Sequence, residues 1–351
     1  MSAVQSSGKE VAALLKRAWR VTPPPPEISP EQFAGTARLL LKSGAGALGW
    51  WRIRQSSLCS LPEGQLLRIA YLECAAQAIE HERKIATLAE ALNREKFSFI
   101  LLKGSATSRF YPESHLRPSG DIDLYMPSRE WIRVRAILDR RQFSGYRVDL
   151  VHVEFERFDV RKFEEFYQHA ESIRVGGAEV KMLGTEDHLR FLCLHLLKHG
   201  GWRPLWLCDI AALLERLPER FDWDRCLGPN ELYAVWILCT IGLAQDILRA
   251  EVSNPPPFLQ DLALPRWLVN SILNRWSNPN SPDLSLFVDQ VRHCWRQPRR
   301  LIEALWERWP NPIQATVDAD GPFDDRARLP FQLRNYKSRA VELGRQMFTR
   351  P

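Results

Sequence analysis

The sequence of 351 residues lacks any long apolar run. No stretch approaches the roughly 18 consecutive apolar residues of a membrane-spanning helix. The opening segment MSAVQSSGKE has no apolar centre of the kind that a signal peptide requires. The 45% of apolar and 26% of charged residues are typical of a globular protein. These absences predict a cytoplasmic protein without a membrane partner.

The cysteines of the sequence do not indicate a reactive or metal-binding site. The seven cysteines are scattered, and no two of them have the spacing of a metal-ligand pair. Most lie in apolar helical patterns, as Cys193 does in RFLCLHLL. The pattern favours small buried side chains in a reducing compartment over disulfides, redox chemistry or metal binding.

A strong excess of one charge is also absent. The net charge is +6, from 48 basic and 42 acidic residues. Residues 286–351 contain 12 of the basic and 8 of the acidic residues, and such interspersed charges are typical of solvated helix faces. The charge alone does not predict nucleic-acid binding, although an RNA contact of this tail stays an alternative.

The hydrophobic pattern divides the chain into four regions. Residues 1–27 predict a short helix followed by the stiff spacer TPPPPE, and residues 28–96 have a helical pattern. Residues 97–184 combine short β-rich runs with short helices, and residues 185–351 return to a helical pattern. We therefore predict the α+β class, with a small mixed sheet inserted between N-terminal helices and a C-terminal helical domain.

Four segments of the insert have the composition of strands. They are FSFILL, DIDLYM, YRVDLVHVEF (residues 146–155) and the double run SIRVGGAEVKML. In the last segment Gly176 and Gly177 separate two β-prone runs. Because both glycines can adopt positive φ, they predict a β-hairpin.

The second strand carries the strongest sign of chemistry. Asp121 and Asp123 are two residues apart, so on a strand they point to one face while Ile122 and Leu124 point to the core. The apolar neighbours indicate a buried strand, where adjacent carboxylates repel each other unless a cation separates them. The pattern therefore predicts a site for divalent cations.

A Gly-Ser pair follows the first strand. Gly104 permits positive φ and a close approach of phosphate to the backbone. We expect Ser105 to cap the next short helix, ATSRFY, and to offer its hydroxyl and nearby N–H groups to phosphate oxygens. A phosphate-binding turn beside a metal site is what a nucleoside triphosphate bound through Mg²⁺ requires.

These motifs carry a resemblance to a known family. The stretch LLKGSA…FYPESHLRPSGDIDLYM resembles the nucleotidyltransferase superfamily of the DNA polymerase β type, and more closely a bacterial group of uncharacterised nucleotidyltransferases. The stretch GTEDHLRFLCLHLLKHGGWRPLWLCDIAALLER is similar to that group's helical region. The likeness extends over roughly residues 97–248, and its spacer of 15 residues between Ser105 and Asp121 is longer than in compact members.

The resemblance implies transfer of a nucleoside monophosphate from a triphosphate such as ATP to a hydroxyl-bearing small molecule, peptide or protein, with release of pyrophosphate. Asp121, Asp123 and a third acid would bind two Mg²⁺ ions. We predict Glu154, in HVEFERF, as the third acid and general base. Asp149, in RVDL, is its rival, and strand alternation does not separate the two.

The resemblance also implies a set of residues that bind the nucleotide. Gly104 and Ser105 would hold the β- and γ-phosphates, and Lys103 and Arg117 would neutralise charge on the leaving pyrophosphate. The alternative is a catalytically silent interaction module or toxin–antitoxin partner with the same fold. The third carboxylate discriminates between the two, since only an enzyme needs it near the aspartates.

Three histidines lie on one face of the helix EDHLRFLCLHLLKHGGW. His195 and His199 have the spacing of zinc proteases, but no glutamate follows His195. A structural role for His188, His195 and His199 is favoured, with bonds to neighbours such as Asp209. The resemblance makes this helix a wall of the nucleotide cleft, where His195 or His199 would line the acceptor site.

Overall fold

A computed structural model describes residues 7–151, 157–253, 255–260, 262–278 and 309–349. Four helices precede the sheet: α1 (Gly8–Leu15), α2 (Pro30–Lys42), α3 (Gly46–Ile53) and α4 (Pro62–Arg94). Three lie among the strands: α5 (Lys103–Thr107), α6 (Trp131–Leu138) and α7 (Phe163–His169). The described helices that follow are α8 (Thr185–Lys198), α9 (Pro204–Leu214), α10 (Trp223–Leu227), α11 (Glu231–Leu248), α12 (Pro257–Gln260), α13 (Arg266–Ser277), α14 (Pro312–Asp318) and α15 (Leu329–Thr349).

Five strands of the described residues form one mixed sheet in the order β3-β2-β1-β5-β4. They are β1 (Ile100–Leu102), β2 (Ile122–Tyr125), β3 (Val148–Val151), β4 (Glu171–Val175) and β5 (Ala178–Met182). β1 is antiparallel to β2 and parallel to β5, β2 and β3 are parallel, and β4 and β5 form an antiparallel hairpin. The predicted α+β class with a mixed sheet between two helical segments is confirmed.

The sheet is covered on both faces by helices. One face packs against α4 and α6, and its buried strand residues include Leu101, Ile122 and Leu124. The opposite face packs against α7 and α8, through Tyr125 of β2 and Phe166 of α7 among others. Strand alternation therefore assigns Ile122 and Leu124 to the α4 side and Asp123 to the α7 side.

The two helical segments share one core. The largest cluster of buried side chains takes Trp19 and Leu40 from the N-terminal segment and Trp236 and Trp276 from the C-terminal one. The boundaries near residues 27, 96 and 184 stay predictions. The helical segments on either side of the insert nevertheless pack together, because each has an apolar face that must be buried.

Helix α11 has the length and apolarity of a membrane-spanning helix. It lies within the large helical core, where Trp236, Ile237 and Leu243 are fully buried. By length and composition a central core helix passes the same test.

Two local predictions differ from the structure. The hairpin of β4 and β5 is confirmed, but of its two turn glycines only Gly176, with φ of 57°, adopts positive φ. The predicted third strand, residues 146–155, is a strand over Val148–Val151, and residues 152–156 lie outside the described part of the chain.

Candidate active site

Three aspartates lie together at one edge of the sheet. Asp123 of β2 pairs in register with Asp149 of the parallel strand β3, so the two side chains point to the same face. Asp121 directly precedes β2, and both Asp121 and Asp149 contribute to the charge felt by Asp123. Asp121 and Asp149 are exposed, whereas Asp123 is 7% exposed.

Asp123 is held by an ion pair with Lys103. The Nζ atom of Lys103 donates to Oδ1 of Asp123 over 2.9 Å. Burial raises the pKa of Asp123; Lys103 opposes this effect, and the neighbouring charges of Asp149 and Asp121 add to it. The single lysine therefore leaves negative charge in this corner that a further cation would stabilise.

The prediction that Gly104 adopts positive φ is wrong. Positive φ occurs one residue earlier, at Lys103, where φ is 50°. A non-glycine residue in this region is strained by about 1–3 kcal/mol, and the same residue forms the ion pair with Asp123. Strain held next to charged side chains is common at functional sites.

Gly104 is required for a different reason, which is the close approach of Ser119. A Cβ atom at position 104 would lie 2.1 Å from the Oγ atom of Ser119 and 2.5 Å from its Cβ atom. Ser119 is itself held, because its hydroxyl donates to the carbonyl oxygen of Asp121. The glycine thus lets the loop before β2 pack directly on α5.

Ser105 is not a helix cap. Helix α5 begins two residues before it, at Lys103, so Ser105 lies within the helix. The Oγ atom of Ser105 lies 3.0 Å from Nε2 of His81, which comes from α4. Burial lowers the pKa of His81, Lys84 lowers it further, and Asp121 raises it. The predicted phosphate-binding serine therefore has an imidazole partner.

Arg117 has a partner that the sequence did not suggest. Its guanidinium donates to both carboxylate oxygens of Asp209 on α9, with the shortest distance 2.8 Å, and both residues are buried. The Tyr111 hydroxyl donates to the same carboxylate over 2.8 Å. The charge of Arg117 is thus already paired, and the residue joins the loop before β2 to the C-terminal helices.

A cleft with room for about 150 Å³ of water lies between α4 and α5 and is open to solvent. Its polar lining includes His81, Ser105, Arg109, Arg117, Ser119 and Arg174. His81, Arg109 and Arg174 were not among the residues predicted from the sequence. They lie in unremarkable helical or strand patterns far apart in the chain, so no sequence signal identifies them.

His188 and His195 lie in α8, and His199 directly follows it. His188 is buried, and its Nε2 atom lies 3.1 Å from the Thr107 hydroxyl oxygen. His195 and His199 pack with Trp206 in a group of aromatic rings. Asp209, named as an expected partner of these histidines, accepts hydrogen bonds from Tyr111 and Arg117 instead. The structural role of these histidines and the acceptor-site role of His195 or His199 both stay predictions.

The donor set at the aspartates fits Mg²⁺ in type, since carboxylate oxygens are its preferred protein ligands. Among the residues that the structure describes, no three histidine, cysteine or acidic side chains form a ready-made metal site. The ion pair with Lys103 occupies one oxygen of Asp123. Asp121, Asp123 and Asp149 would therefore need side-chain rotations to bind one ion together.

Glu154, predicted as the third acid, lies outside the described residues, so its position stays a prediction. Of the two candidates, the structure describes the rival, Asp149, and its backbone is the register partner of Asp123.

Comparisons with known proteins agree with the family predicted from the motifs. A family model described as an uncharacterised nucleotidyltransferase matches residues 37–231. No curated protein matches the chain. A crystal structure of an antigenic nucleotidyltransferase-like protein from Paracoccidioides brasiliensis is similar at 15% identity and a TM-score of 0.34, over 49% of this chain and 93% of that chain. A TM-score this low carries no argument. The family model matches more than half of the chain, from α2 to the start of α11, and the chain therefore belongs to this family of uncharacterised nucleotidyltransferases.

Proposed function

We propose that the protein is a Mg²⁺-dependent enzyme that transfers a nucleoside monophosphate from a nucleoside triphosphate to a hydroxyl group. The observation that carries this proposal is the register pairing of Asp123 with Asp149, beside Asp121. It gathers three carboxylates at the edge of the sheet where the Gly-Ser helix α5 begins. We also propose, on the resemblance of the motifs, that the protein is bacterial and belongs to the DNA polymerase β superfamily. The proposal that it is cytoplasmic rests on the lack of a long apolar run in the sequence.

The proposed reaction forms one bond and breaks one. The acceptor oxygen bonds to the α-phosphorus, the bond from that phosphorus to the bridging oxygen breaks, and pyrophosphate leaves. The hydroxyl proton passes to a carboxylate, for which Asp149 is the candidate because it is exposed and adjacent to Asp123. Asp121, Asp123 and Asp149 would hold Mg²⁺, which when bound supplies positive charge against the phosphates.

The phosphates would lie against α5. Ser105 offers a hydroxyl at the cleft, and Lys103 offers an ammonium group at the carboxylates. We propose that triphosphate binding draws Lys103 from Asp123 toward phosphate oxygens, which frees the carboxylate for the metal. Arg117 would contribute less to phosphate binding than predicted, because Asp209 already pairs its guanidinium.

One observation supports the silent alternative. Lys103 forms an ion pair with Asp123 over 2.9 Å, and a lysine in that position can take the place of a metal ion as the partner of the carboxylate. A protein of this kind would act as an interaction module or toxin–antitoxin partner. Binding of a metal-nucleotide complex discriminates between the enzyme and the silent module, since only the enzyme needs to bind that complex.

The direct test is a screen of the four ribonucleoside triphosphates with Mg²⁺ and release of pyrophosphate as the readout. Small polyols, hydroxyl-bearing peptides and the protein itself serve as acceptors, and Asp123→Asn is the inactive control. We expect the wild type alone to release pyrophosphate with one triphosphate. If no triphosphate raises the melting temperature of the wild type in the presence of Mg²⁺, the silent module replaces the enzyme.

A further inference from the structure

Helix α4 contributes a histidine to the Gly-Ser region, although the two are 24 residues apart in sequence. The Nε2 atom of His81 lies 3.0 Å from the Oγ atom of Ser105. The helix ends at Arg94, and β1 then returns the chain along the sheet to α5. The antiparallel return brings the middle of α4 beside the first turn of α5, with the cleft between them.

The cleft has the charge of an anion site. Arg109 and Arg174 are exposed at its edges, and their guanidinium groups make no hydrogen bond or ion pair with a residue that the structure describes. Glu82 is the acidic residue in the lining, and its carboxylate accepts a hydrogen bond from the N–H of Gly176 over 3.0 Å. The two unpaired guanidinium groups and the serine hydroxyls are suited to the oxygen atoms of phosphate groups.

The chemistry of a polyphosphate decides the direction of the bond between His81 and Ser105. Ionised phosphate oxygens only accept hydrogen bonds, so the Ser105 hydroxyl must donate to bind one. Its Oγ atom is then left to accept, and the imidazole must donate from Nε2. If Nε2 instead accepted the serine proton, oxygen lone pairs would face the anion and repel it.

We propose that His81 is a positioning residue for Ser105: its Nε2–H group donates to Oγ and turns the hydroxyl proton toward a polyphosphate bound in the cleft. The identification of that polyphosphate with the triphosphate of the substrate rests on the proposed function. The geometry itself requires only an oxygen anion.

A bound anion must also change the protonation of His81. Burial lowers its pKa, so the free protein holds a neutral ring at neutral pH. A polyphosphate nearby favours the charged ring, which is a double donor, and affinity therefore rises as the pH falls toward that pKa. The charged groups around the ring are Lys84 and Glu82 on α4, Arg109 after α5, Arg117 and Asp121 before β2, and Arg174 on β4.

The test measures binding of inorganic tripolyphosphate to the full chain by calorimetry between pH 5.5 and 8. His81→Phe keeps a ring but removes the donor, and we expect affinity about five- to tenfold weaker, as for loss of one hydrogen bond. His81→Gln keeps a donor near the Nε2 position and is expected within about twofold of the wild type at pH 8, without the extra gain at low pH. His169→Gln, at an exposed histidine of α7, is the matched control and is expected to bind as the wild type does.

Ser105→Ala separates action of His81 through the serine hydroxyl from a merely structural role of His81. If His81 acts through Ser105, His81→Phe has no further effect once the hydroxyl is gone. The double variant is then expected to bind no more weakly than the weaker-binding single variant. Additive losses, or unchanged affinity in His81→Phe, overturn the proposal.

The same variants separate this proposal from the proposed function. The protein could bind tripolyphosphate in a way that depends on His81 and yet release no pyrophosphate from any triphosphate. That result would support the positioning role of His81 and contradict the proposed enzymatic function. If the wild type is active and His81→Phe leaves its KM for the triphosphate unchanged, the positioning role is contradicted and the proposed enzymatic function is supported.

Discussion

Asp149 stands directly beside Asp123, as its register partner across the parallel strands β2 and β3. Side chains at paired positions of adjacent strands share a face and interact. Like charges so placed destabilise the pair, and Asp149 contributes to the raised pKa of Asp123. A repulsive arrangement of this kind favours the binding of a cation between the carboxylates.

The first prediction concerns the third acid. We expect Asp149→Asn to lower turnover by roughly 10²–10⁴, the range for a positioned acid–base group, while triphosphate binding stays nearly intact. Glu154→Gln is the competing variant, since Glu154 is the acid predicted from the sequence. Pyrophosphate release measured in both decides between them. Loss in Glu154→Gln alone restores the original assignment, and loss in neither favours the silent module.

The second prediction tests the carboxylate-held metal. A ligand that binds only the folded state stabilises it by mass action, by about 2.7 kcal/mol at 100 times its Kd. Mg²⁺ with the preferred triphosphate is therefore expected to raise the melting temperature of the wild type. The double variant Asp121→Asn with Asp123→Asn is expected to lose most of this shift.

Without ligand, the same double variant is expected to melt at the wild-type temperature or above. Burial raises the pKa of Asp123 in the folded state, so its ionised form costs stability at neutral pH. Asparagine removes that charge and keeps a side-chain oxygen for Lys103. Equal ligand-induced shifts in variant and wild type would contradict a metal held by these aspartates.

The third prediction concerns the packing of Gly104 on Ser119. Gly104→Ala places a methyl group where the Ser119 side chain lies, with contacts of 2.1 and 2.5 Å. We expect a destabilisation of about 1–3 kcal/mol, as for overpacking elsewhere. Ser119→Gly removes the clashing atoms, so the double variant is expected to recover most of the loss. Chemical denaturation of the four proteins measures the coupling, and additive losses would refute the contact.

A fourth prediction separates Arg117 from the surface arginines. Arg117→Met leaves the buried Asp209 carboxylate without its guanidinium, and removing one partner of a buried pair costs about 3–5 kcal/mol. The exposed pair of Arg129 with Glu164 is the matched control, and Arg129→Ala is expected to cost less than about 1 kcal/mol. Urea denaturation gives both values. Similar small losses would show that the Arg117 pair is not a structural link.

The fifth prediction is a pH dependence of stability from His188. Burial lowers its pKa to about 4, below the value of about 6.5 for an exposed histidine. The unfolded chain therefore binds a proton between these values that the folded protein does not, and stability falls as the pH drops from about 6.5 to about 4. We expect His188→Gln to show a shallower fall in unfolding free energy over this range. Parallel curves for variant and wild type would contradict the assignment.

The local patterns of the sequence predicted the elements of the insert and part of its chemistry. Apolar runs identified the strands, Gly176–Gly177 identified the hairpin, and the spacing of Asp121 and Asp123 predicted two carboxylates close enough to interact. Patterns of this kind succeed because side-chain direction within one strand depends only on residue parity. They also sufficed for the family, since its motifs lie in short contiguous stretches.

Which residues meet across elements was decided by the tertiary structure alone. The register of β3 on β2 gives Asp149 its place beside Asp123, and the passage of α4 over the sheet brings His81 to Ser105. Parity within a strand contains no information on register between strands, so Asp149 and Glu154 were indistinguishable from the sequence. Gly104 was similarly misread as a conformational glycine, because the crowding by Ser119 arises only when the loop before β2 folds back onto α5.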